Sequence, residues 1–130
     1  MVLLAPHLNG DGLGEVYSIF QWTKALAEIV DLTVLAVVGA QDLAAQLPGA
    51  RVVTLREPNV LYTRLHRLNA MAKPWLPVYF RWARKWIKTA LQNGEAFDIA
   101  HQILPQAMRY ASHLPGLGLP YVIGPLGGSL

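Results

Sequence analysis

The sequence predicts an α/β fold, a doubly wound parallel sheet with helices on both faces. Three observations carry that prediction. Short apolar runs stand directly before glycine-rich loops, at Val2–Ala5 before Asn9–Glu15 and at Tyr121–Ile123 before Gly124–Ser129. Hydrophobic spacing switches from strand-like to helix-like and back along the chain. The chain is 53% hydrophobic and only 15% charged, which suits a sheet covered on both sides.

The elements follow in order. Val2–Ala5 reads as a short buried strand ended by Pro6. From Glu15 the period becomes helical, with Val16, Ile19, Phe20, Thr23, Leu26, Ala27 and Val30 on one face and Trp22 expected to pack the helix on the sheet. Glu15 stands in the first turn, where the helix dipole favours an acid. Leu32–Val38 is a β-branched apolar run ended by Gly39, a central strand. Asp42–Gln46 predicts a short helix closed by Pro48-Gly49, and Arg51–Leu55 a third strand nearer an edge. Residues 59–93 are helical in pattern and divided by Pro74 and Pro77, with Asn93-Gly94 as the stop. Phe97–Ile103 predicts a fourth strand, Gln106–His113 a short helix, Pro115–Gly118 a turn and Tyr121–Ile123 a fifth strand.

Composition narrows the function classes. With 130 residues the chain is long enough for one domain with a real core. There is no cysteine, hence no disulfide framework, thiolate metal site or thiol nucleophile. No pair of histidines and acids has metal-ligand spacing, so no metal is expected. No apolar run approaches the roughly 20 residues that span a bilayer, and no basic segment precedes Val2, so the expected location is cytoplasmic.

The first glycine loop carries chemistry. A strand, a glycine-rich turn and a helix present backbone N–H groups to an anion; a tight turn without a ligand is the plain alternative. A dinucleotide fingerprint puts its first glycine at the strand end, whereas Pro6-His7-Leu8-Asn9 intervenes here. The Gly-Lys-Ser/Thr of a P-loop is absent. The loop therefore suits a mononucleotide-linked sugar or an acceptor group better than NAD.

Three segments resemble the group 1 (family 4) glycosyltransferases. They are Gly10-Asp11-Gly12-Leu13-Gly14-Glu15 with Tyr17 and Gln21-Trp22, Phe97-Asp98-Ile99-Ala100-His101-Gln102, and Pro120-Tyr121-Val122-Ile123-Gly124-Pro125-Leu126-Gly127-Gly128. They fall in the family's order over nearly the whole chain. The resemblance implies a single Rossmann-like domain, 1–130, forming the incomplete N-terminal, acceptor-side domain of a GT-B fold; the C-terminal donor-binding domain would lie outside this sequence. It implies retaining transfer from a nucleotide-sugar donor to a glycan or lipid-linked acceptor, with no cofactor in this chain, and this chain alone inactive. Gly12, Gly14 and Glu15 would meet the donor phosphate or sugar. His7, Asp11, Gly127 and Gly128 would line the acceptor side of the cleft. His101 matches the first histidine of the family's strand motif and is the candidate catalytic residue; Ile103 stands where many members carry a second histidine. A core histidine with one hydrogen-bond partner is the plain reading of His101.

Charge supplies another hypothesis. Arg56, Arg64, Arg67, Lys73, Arg81, Arg84, Lys85 and Lys88 are eight of the eleven basic residues. Tryptophans interleave with Arg81, Arg84, Lys85 and Lys88, a pattern that suits peripheral contact with an anionic membrane on its inner face. A solvated face with its aromatics in the core is the competing reading, as is a non-enzymatic α/β binding module with a basic surface. No nucleic-acid motif accompanies the patch. An unfinished sheet would also leave an edge for self-association with a second copy.

Overall fold

The computed structural model describes residues 1–38, 42–56, 63–105 and 111–125. Five strands form one parallel sheet: β1 (Val2–Leu4), β2 (Leu32–Val38), β3 (Ala50–Arg56), β4 (Ala100–Gln102) and β5 (Tyr121–Ile123). Their order is β3-β2-β1-β4-β5. Among the described residues the helices are α1 (Glu15–Ile29), α2 (Leu43–Gln46), α3 (His66–Ala72) and α4 (Leu76–Gln92).

Strand alternation sorts the core into two layers. Leu3, Leu32, Val34 and Ala36 pack with Ile19 and Phe20 of α1 and Leu43 of α2. Val2, Leu4, Leu35, Val37 and Ala100 pack with Leu76, Tyr79, Phe80, Ala83 and Ile87 of α4. Helices therefore cover both faces, and the parallel sheet explains why β1 and β2 are apolar at every position or nearly so. Tyr79 is fully buried and donates to the Leu35 carbonyl at 2.6 Å.

Particular expectations fare differently. β2 and β5 have the predicted bounds, and β3 is an edge strand. Asp42 caps α2 by accepting from the Ala45 amide at 3.3 Å. Pro77 stands in the first turn of α4, where its missing N–H costs nothing, and Asn93-Gly94 ends the helix with Gly94 at φ 87°. β4 is shorter than predicted, because pairing with β1 begins only at Ala100. Trp22 is 53% exposed, and its contact with the sheet is an edge-on one to the ring of His101 on β4. Residues 111–113 are not helical; the rest of the expected 106–113 helix, Gly39 and residues 59–62 lie outside the described residues.

The basic segment is amphipathic in an ordinary way. Tyr79, Phe80 and Ile87 are buried, and Trp82 and Trp86 are partly buried against the same core. The aromatic side chains thus pack toward the sheet, as the reading of a solvated basic face over a packed core expects. Arg81, Lys85 and Lys88 are exposed. Arg84 is occupied otherwise, donating to the carbonyls of His113 at 2.5 Å and Pro115 at 2.7 Å. Among the described residues no helix is long and apolar enough to cross a membrane.

Candidate functional site

The chain runs outward in one direction from β1 to β2 to β3, then returns to place β4 and β5 on the other side of β1. The segments leaving β1 and β4 therefore separate at the carboxyl end of the sheet, the position where open parallel sheets leave a crevice. A cavity of about 80 Å³ lies there, lined by Pro6 and His7 after β1, Glu15 and Val16 of α1, Lys73 and Leu76, and Leu104 and Pro105 after β4. His7 and Glu15, two of the residues expected from sequence, share this wall.

The glycine loop has an internal frame. The Gly10 amide donates to Gln46 Oε1 at 3.1 Å, Gln46 Nε2 donates to Asp11 Oδ2 at 3.4 Å, and the Asp11 amide donates to Asn9 Oδ1 at 2.8 Å. Gly10 needs to be small, since an added Cβ would stand 2.9 Å from the Phe20 ring. Asp11 is thus turned towards α2 and is not among the residues lining the cavity. Gly12 sits under Val16. Gly14 differs from both. It holds φ 63° and ψ −130°, caps α1 without a side-chain hydrogen bond, and has open space where a Cβ would project. That conformation belongs to glycine and leaves the start of α1 accessible.

His101 is 8% exposed and does not line the cavity. Its Nε2 is hydrogen-bonded to the Gly124 carbonyl at 2.6 Å, so in the described tautomeric sense the ring is the donor. Trp22 meets the other side of the ring edge-on, with centroids 6.1 Å apart. Gly124 also donates its amide to the Gln102 carbonyl at 3.0 Å. His101 therefore holds the beginning of the second glycine segment against β4. Both glycine segments leave the same end of the sheet, since all five strands are parallel. Gly127 and Gly128 lie outside the described residues.

Lys73 is the cavity residue that sequence reasoning passed over. It follows α3 with φ 42°, in the left-handed region where glycine usually ends a helix. In the sequence it is one more cation in a basic stretch, and only its pairing with Pro74 marks a helix end. Among the described residues no group of three or more His, Asp or Glu side chains is placed to hold a metal ion.

A second, larger cavity of about 390 Å³ opens at the other end of the sheet, with Met1, Asp31, Arg51, Glu95 and Asp98 among its walls. There the terminal ammonium donates to the Asp31 carbonyl at 2.8 Å, and Arg51 pairs with Glu95 at 2.9 Å while lying over Trp86.

Comparison with protein-family models, with curated proteins and with solved structures found no match for this chain.

Proposed function

We propose that this chain is the N-terminal, acceptor-side part of a retaining glycosyltransferase of GT-B type, moving a sugar from a nucleotide donor to a glycan or lipid-linked acceptor. The observation that carries the reading is spatial. The first of the three segments on which the family resemblance rests is the loop between β1 and α1 with the start of that helix, and the other two include β4 and β5. β1, β4 and β5 are adjacent strands, and the two glycine segments emerge at one end of them. His101, from the middle segment, is hydrogen-bonded to Gly124 of the last. The open, positive-φ Gly14 at the head of α1 suits an approaching phosphate.

In this reading the first-turn amides of α1 stabilise charge that builds on the leaving diphosphate, and Glu15 accepts hydrogen bonds from sugar hydroxyls. His101 acts by positioning Gly124, not by contact with the reacting atoms. The exposed apolar residues of β5, Tyr121, Val122 and Ile123, fit a Rossmann-like sheet that continues past that strand.

The test is transfer by the whole gene product, offered a panel of nucleotide sugars with glycan and lipid-linked acceptors. Gly14→Val should lower kcat by about 100-fold or more, on the scale of losing an aligned backbone donor. It should cost about 1–3 kcal/mol of stability, the strain of a side chain in a glycine-type backbone region, with no added clash because a Cβ there meets no atom. Normal turnover in that variant refutes the assignment of the loop.

A further inference from the structure

The cavity between β1 and β4 contains a cation that sugar transfer does not use. Lys73 and His7 are the non-glycine residues held at positive φ among the described residues, at 42° and 61°, and both line this one cavity. Such backbone is uncommon for residues with a side chain and concentrates where ligands are clamped. Glu15 stands on the same wall, so the lining carries charges of both signs. The rest of it, including Val16, Leu76 and Leu104, is apolar, which strengthens a charged contact made inside.

A second observation is independent of the backbone. Two buried polar atoms have no hydrogen-bond partner among the described residues: Trp75 Nε1 and Gln102 Oε1. Trp75 lies between the lining residues Lys73 and Leu76 in the chain, and Gln102 two positions before the lining residue Leu104. Buried polar groups in folded proteins are nearly always bonded, and these two stand on the segments that supply the cavity wall without themselves lining it.

The charges of the lining select the ligand. The cavity, about 80 Å³, has room for a small oxyanion head. A bare anion would be repelled by Glu15. A molecule bearing both a phosphate and a hydroxyl satisfies Lys73 and Glu15 at once.

We propose that this cavity binds the phosphate end of a small polyol phosphomonoester, with the Lys73 ammonium on the phosphate and the Glu15 carboxylate on an adjacent hydroxyl. The proposal shares Glu15 with the sugar-transfer reading and adds Lys73, and it stands on the cavity lining whether or not sugar is transferred.

Calorimetric titration of the 130-residue chain with glycerol 3-phosphate, inorganic phosphate and glycerol tests it. Glycerol 3-phosphate should bind saturably and more tightly than inorganic phosphate, and glycerol alone should not bind. Lys73→Gly and Lys73→Met should each weaken glycerol 3-phosphate by about tenfold or more, the scale of one lost charged hydrogen bond. Lys73→Gly should do so without lowering the melting temperature of the unliganded protein, since glycine adopts the same φ freely. Glu15→Gln should narrow the preference for glycerol 3-phosphate over inorganic phosphate, and Lys24→Ala should change nothing. No saturable binding of either phosphate, or full affinity in Lys73→Met, overturns the site. Equal affinity for the two phosphates overturns the role of Glu15.

Discussion

The two ends of the sheet are built on opposite principles. The amino end has the larger cavity, and its ion pair lies at the surface: Arg51 and Glu95 pair at 2.9 Å with side chains 55% and 37% exposed. The carboxyl end has the smaller cavity, and two of its polar contacts are buried: Tyr79 to the Leu35 carbonyl and His101 to the Gly124 carbonyl. It also holds the two strained side-chain-bearing residues and the open cap of α1. Buried hydrogen bonds, with backbone held out of its relaxed conformation, distinguish the end at which both proposals place their ligands.

This contrast makes graded predictions. The largest effect is expected at His101. His101→Leu keeps the ring's neighbours packed but leaves the buried Gly124 carbonyl without that donor, which should cost about 1–3 kcal/mol in urea denaturation. Amide exchange at Gly124 should accelerate with it. An unchanged midpoint would erase the distinction between the two ends.

Tyr79→Phe comes next, at about 1 kcal/mol near neutral pH, the net value of one hydrogen bond. The Leu35 carbonyl keeps the Ala5 amide as a donor at 3.0 Å, which limits the loss. Burial holds the Tyr79 phenol well above its ordinary value, against a smaller opposing effect from hydrogen bonding at the backbone. The sign follows. Above about pH 10 the unfolded chain releases a phenolic proton that the folded chain retains, so stability falls as pH rises. Stability curves of wild type and Tyr79→Phe should therefore run parallel below about pH 10 and converge above it. Parallel curves throughout would mean that the phenol is hydrated in the folded state.

The smallest effect belongs to the amino end. Arg51→Ala removes an exposed ion pair and a cation–π contact 5.3 Å from the Trp86 ring, and should cost no more than about 1 kcal/mol. Half-molar salt should shrink that difference further by screening. A loss as large as that of His101→Leu would show that both ends are equally built.

Much of the scaffold was legible because periodicity encodes burial. Leu32–Val38 could only be a strand covered on both faces, and the 16-19-20-23 spacing could only turn one side of a helix inward. The glycine loops were legible for the same local reason, since tight turns before helices require small residues. The aromatic and basic stretch was ambiguous: one pattern describes both a membrane-surface helix and a helix laid on a core. The packing of Tyr79, Phe80 and Ile87 under the sheet shows which side of the helix is core, and Arg81, Lys85 and Lys88 stand on its exposed side.

Local sequence thus determined the elements, their alternation and the parallel class of the sheet, because each depends on neighbours within a few residues. The tertiary structure alone decided the strand order, the bond from His101 to a carbonyl 23 residues away and the meeting of His7, Glu15 and Lys73 around one cavity. The physical reason is that such meetings depend on how the crossovers direct the chain through space, and residue spacing carries no signal for a wall assembled from segments more than fifty positions apart.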